Sequence, residues 1–98
     1  MYLNKEIILQ KLRAVKPDLQ TKYNLTELAL FGSYARDEQT NRSDIDIMVK
    51  MSTPSFRNYS DIYHTLEEAF PGLVVQVVSR GAIKPKYFKY VEPDLLYA

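Results

Sequence analysis

The run LVVQVVS, residues 73–79, constrains the fold most, because its four valines crowd a helix and favour an extended backbone. It reads as a strand. In DIDIMVK, residues 44–50, apolar and polar residues alternate, so Ile45, Ile47 and Val49 point to one face of a sheet and Asp44, Asp46 and Met48 to the other. LTELALFG reads as a third strand, ending at Gly32. Helical patterns surround these runs. Leu3, Ile7, Ile8, Leu12 and Val15 form one stripe behind an Asn4 N-cap, predicting a helix over 5–15. Pro17 is expected to open a second helix over 17–23, ending near Asn24. Ser33 to about Glu38 reads as a short helix after the glycine turn, and MSTPSFRN as a turn-rich connection. Ser60 is expected to cap a helix over 61–70 that Pro71-Gly72 stops. The tail PDLLYA reads as either a last short strand or an extended arm. This order predicts an α+β fold, a small mixed β-sheet with helices packed on one face and the other face free for a site.

Ninety-eight residues suffice for one core, so residues 1–98 are read as a single domain with one site at most. A chain 46% hydrophobic and 26% charged is expected to fold on its own. No stretch is apolar enough to span a membrane, and the start, MYLNKEIILQKLRAV, carries charges within its apolar pattern, unlike a signal peptide. A cytoplasmic protein is expected. Without cysteine, and with His64 the single histidine, a metal here must sit on carboxylates. A net charge of +1 argues against a broad surface for duplex nucleic acid. The cluster Arg80, Lys84, Lys86 and Lys89, interleaved with Tyr87, Phe88 and Tyr90, reads as a helix with solvated lysines and packed aromatics, or as a local patch for RNA or an acidic partner.

The stretch GSYARDEQTNRSDID, residues 32–46, carries the chemistry. Aspartates at i and i+2 of a strand share a face, about 6.5 to 7 Å apart at their Cα atoms, within reach of one magnesium ion. Mg²⁺ takes few protein oxygens and fills its octahedron with water and phosphate, so Asp44 and Asp46 suit a metal-nucleotide complex. Gly32 lets backbone approach a ligand, Ser33 can offer its hydroxyl and N–H to a phosphate oxygen, and Arg36 can clamp the same phosphates. Each element is common alone; their spacing is not.

With this spacing, LFGSYARDEQTNRSDIDIMV resembles the DNA polymerase beta-like nucleotidyltransferases, whose signature is GS-x10-DxD. It is similar in particular to the minimal nucleotidyltransferases, the MNT antitoxins of HEPN/MNT toxin-antitoxin pairs. The resemblance implies the minimal nucleotidyltransferase fold, with Gly32 and Ser33 holding the triphosphate and Asp44 and Asp46 binding Mg²⁺ and the nucleotide. It further implies transfer of AMP from ATP to a tyrosine of a HEPN-domain toxin, or silencing of that toxin by binding.

One position departs from the resemblance. Such proteins usually carry a third carboxylate in the following core strand, where this chain has Gln76. An amide brings no charge and is a poor base, so the alternative is a catalytically weakened antitoxin that acts by masking its partner. Asp37, where similar chains commonly have glycine, is a smaller departure, since aspartate tolerates turn conformations.

Overall fold

The computed structural model describes residues 3–98. Helix α1, Lys5–Tyr23, starts at Asn4, whose Oδ1 accepts from the Ile7 N–H at 2.9 Å. The break expected at Pro17 does not occur. Pro17 removes the N–H that would pair with the Arg13 carbonyl, but both residues are exposed, so that carbonyl can turn to water. Meanwhile Leu19 continues the buried stripe of Ile8 and Leu12, and packing holds the helix together through the proline. It ends where expected, at Asn24 in the left-handed conformation.

Strand β1 (Leu25–Phe31) pairs antiparallel with β2 (Ile45–Met51). Helix α2 (Phe56–Ala69) then crosses over to β3 (Val75–Ser79), which lies parallel to β2. A two-residue strand, β4 (Leu96–Tyr97), pairs antiparallel with the free edge of β1, giving the order β3-β2-β1-β4. Of the tail, Leu96 and Tyr97 form this strand, while Pro93 and Asp94 belong to a turn before it. Helix α2 begins well before the expected Ser60, with Ser55 as its cap; the Ser55 hydroxyl accepts from the Asn58 N–H at 3.0 Å. Both serines suit a cap locally, and the contact that favours the earlier start is Tyr59, whose hydroxyl donates to the Val77 carbonyl and fixes the first turn on β3.

Helices α1 and α2 cover one face of the sheet, over Leu28, Leu30, Ile45, Ile47, Val49, Val75 and Val77. The alternation predicted for β2 holds. The opposite face is less open than expected, since Met48 and Ala29 lie fully buried at its centre. Behind β3 the chain forms a short turn at Arg80–Ala82, then helix α3 (Pro85–Val91) and a second turn at Glu92–Asp94. Arg80 Nη1 donates to Glu27 Oε1 at 2.6 Å, and the Arg80 guanidinium stacks on the Phe88 ring at 4.7 Å. The chain after β3 is thereby tied across the second face, and the end of the sheet that carries the aspartates stays open. Among the described residues no helix is long and apolar enough to cross a membrane.

Candidate active site

Gly32 ends β1 with φ of +79°, a conformation that favours glycine. There is also no room for a side chain: a Cβ here would fall 2.2 Å from Asp46 Oδ2. The register that pairs Phe31 with Asp46 sets this contact, so the glycine turn and the acidic strand meet directly.

The residues after Gly32 form one helical turn rather than the short helix expected. The Arg36 N–H reaches the Gly32 carbonyl at 3.2 Å, then the Glu38 N–H reaches Ser33 at 2.9 Å and the Asp37 N–H reaches Tyr34 at 3.3 Å. The last two bonds, with Asp37 at φ of +58°, are a Schellman ending, which stops the helix after its first turn. One turn carries little dipole, so Ser33 can offer a phosphate its own groups and little more. Buried Tyr34 and Ala35 pin the turn to the core, and Lys5 Nζ pairs with Asp37 Oδ2 at 2.9 Å.

Asp44 lies one residue ahead of β2, behind a turn in which Ser43 Oγ accepts from the Thr40 N–H at 2.9 Å. Asp46 lies inside the strand, opposite Gln76 of β3. Gln76 does share the face of the aspartates, and its Nε2 donates to Asp44 Oδ2 at 2.7 Å. Partial burial and then the charge of Asp44 push the Asp46 carboxyl above the usual range, with Arg36 pulling weakly the other way. Two carboxylates on one face, the Asp46 group raised by burial and by its neighbour's charge, fit a divalent cation that would offset both causes. Among the described residues no three His, Cys, Asp or Glu side chains form a metal-binding group, so any ion here has two carboxylates and an amide. As oriented, Gln76 presents its N–H₂ to Asp44, and it must turn over to offer oxygen to a metal.

Arg36 lies at the rim. Its Nε donates to Glu38 Oε1 at 2.8 Å and its Nη1 to Asp94 Oδ2 at 2.7 Å, so two carboxylates hold the guanidinium that the sequence assigns to phosphate. No local pattern pointed to Asp94. His64 is an exposed residue of α2 beside Glu67.

Residues 13–91 match the family described as Polymerase beta, Nucleotidyltransferase. A Methanocaldococcus jannaschii protein named as a candidate protein adenylyltransferase is 43% identical over 88 residues, covering 88% of this chain and 89% of that relative. Protein adenylyltransferase MntA of Thermococcus cleftensis is 33% identical over 87 residues, covering 88% of this chain and 87% of its own. A solved structure described as a minimal nucleotidyltransferase superposes with a TM-score of 0.79 at 23% identity, over 97% of this chain and 96% of that one. The crystal structure of the toxin-antitoxin pair MntA-HpeT superposes with a TM-score of 0.65 at 24% identity, over 97% of this chain and 72% of that one. The chain belongs to the polymerase beta nucleotidyltransferase family.

Proposed function

We propose that this chain is the nucleotidyltransferase of a toxin-antitoxin pair, transferring AMP from Mg-ATP to a tyrosine hydroxyl of a HEPN-domain toxin. The observation that carries the reading is the contact of Gly32 with Asp46, which sets a turn suited to phosphate against the acidic pair. The relatives named as protein adenylyltransferases supply the reaction class, and MntA-HpeT supplies the precedent of a toxin partner.

In this reading Gly32 and Ser33 take the triphosphate, and Asp44 and Asp46 hold Mg²⁺, which supplies charge neutralisation at the phosphates when bound. Gln76 orients Asp44 through its amide N–H. It cannot accept the proton of the attacking hydroxyl, and loss of a general base typically costs about 100- to 10,000-fold in rate. Slow transfer is expected.

The hydrogen bond from Gln76 to Asp44 also favours a second reading, a catalytically weakened antitoxin that neutralises its partner by binding. Co-expression with the partner protein encoded beside this chain, followed by intact mass measurement, separates the two. A gain of AMP units on the partner that is lost in Asp44→Asn supports transfer. A stable complex with an unmodified partner supports masking.

A further inference from the structure

At residues 73 and 74 the chain passes from one face of the sheet to the other. Leu73 lines an apolar groove with Phe70, Pro71, Ala69, Lys11 and Leu3, between the start of α1 and the end of α2. The Val74 carbonyl accepts from the Ile45 N–H at 2.9 Å, which carries the β2–β3 ladder one residue further and sets Val74 level with Asp44. Val75 is buried against the helices, so alternation turns the Val74 side chain to the face of Gln76 and the aspartates. Val74 is 62% exposed and Leu73 43%, so a wet apolar edge borders the acidic pair.

The geometry of transfer decides what meets this edge. Across the end of the sheet lie the Gly32 turn, then Asp44 and Asp46, then Gln76 and Val74. In an in-line displacement the leaving group and the attacking oxygen stand on opposite sides of the phosphorus. If pyrophosphate leaves toward Gly32 and Ser33, the acceptor enters from the β3 side.

We propose that Val74 and Leu73 form the acceptor-docking edge, with an aromatic, hydroxyl-bearing side chain of a partner polypeptide against Val74 and its flanking residues in the Leu73 groove. This rests on the transfer reading above. A phenol suits the place because its ring packs on the valine methyls while its hydroxyl reaches the wet, charged centre; a serine would leave Val74 uncovered. The acceptor oxygen bonds to the α-phosphorus and the bond from that phosphorus to the bridging oxygen breaks. Pyrophosphate leaves with the electron pair, and the phenolic proton passes to water.

The test is AMP transfer from radiolabelled Mg-ATP to the partner protein encoded beside this chain, with acceptor and nucleotide each varied in turn. Val74→Ser is expected to raise the acceptor KM about fivefold or more and to leave the nucleotide KM within about twofold, with Leu73→Ser shifting it the same way by less. Phe56→Ser, at a side chain 86% exposed beyond the far end of β2, should change neither constant. An unchanged acceptor KM in Val74→Ser, or a rise confined to the nucleotide KM, overturns the docking edge and leaves transfer standing. No transfer by the wild type overturns both.

Discussion

At the scale of single residues, the site brings together groups that are poor neighbours without a ligand. Asp46 is partly buried, faces the charge of Asp44, and touches the one residue type that leaves room for it. Its carboxyl is raised in the folded chain, so the fold binds a proton there more readily than the unfolded chain does. The sign follows: metal-free stability grows as pH falls through the raised value, and at neutral pH the ionised group is a burden. Asp46→Asn is therefore expected to raise the melting temperature by a few degrees at pH 7 in chelator, a gain that shrinks toward acid pH. Thermal unfolding across that range reads it, and a variant no more stable than wild type at pH 7 would sink the idea. Gly32→Ala should go the other way, losing about 1 to 3 kcal/mol through its positive φ and the displaced Asp46 carboxylate. Gln76→Asp sets a third carboxylate opposite Asp46. It should speed transfer in Mg-ATP assays, and no gain over wild type would count against Gln76 as the missing base.

At the scale of elements, the one-turn helix after Gly32 depends on Asp37, whose φ of +58° is one that glycine takes without penalty. Asp37→Gly gives up the Lys5 pair, an exposed contact of little weight, and gains about as much or more from relieved backbone strain. Urea unfolding should place it between neutral and about 1 kcal/mol more stable, whereas Asp37→Val should lose about 1 to 2 kcal/mol. A stable valine variant would mean the turn is not held in that conformation. The three main strands and the inward face of β2 were legible because a β-branched run and an alternating pattern are both written in adjacent residues. Helix limits were not, since Ser55 and Ser60 are equivalent caps until Tyr59 meets the Val77 carbonyl. Pro17 misled because no local pattern shows that Arg13, whose carbonyl loses its partner, is exposed while Leu19 stays buried. Of the candidate site, Gly32, Ser33, Asp44 and Asp46 followed from spacing alone. That Gln76 lies beside them required the strand order, which no local pattern encodes.

At the scale of the whole molecule, the segment after β3 closes the second face and is tied back to the site. Arg80 holds Glu27, the Ala98 N–H reaches the Leu28 carbonyl at 2.9 Å, and Lys16 Nζ reaches the Ala98 carbonyl at 2.7 Å. The remaining tie joins Asp94 to Arg36, 58 residues away, and uses the cation that the sequence assigns to phosphate. In the proposed reading, a triphosphate at Gly32 and Ser33 would compete with Asp94 for the guanidinium. Asp94→Asn removes the competitor, so Mg-ATP should bind severalfold more tightly, and Arg36→Ala should bind it more weakly. Both ends of the ion pair are partly exposed, so folding stability should change little. The gain in affinity should also fade as salt rises, because screening at about 0.15 M ionic strength acts over roughly 8 Å. Titration with a fluorescent ATP analogue and Mg²⁺ at two ionic strengths reads each of these. Unchanged affinity in Asp94→Asn would leave Arg36 as a clasp for the C-terminal segment and remove it from the phosphate site.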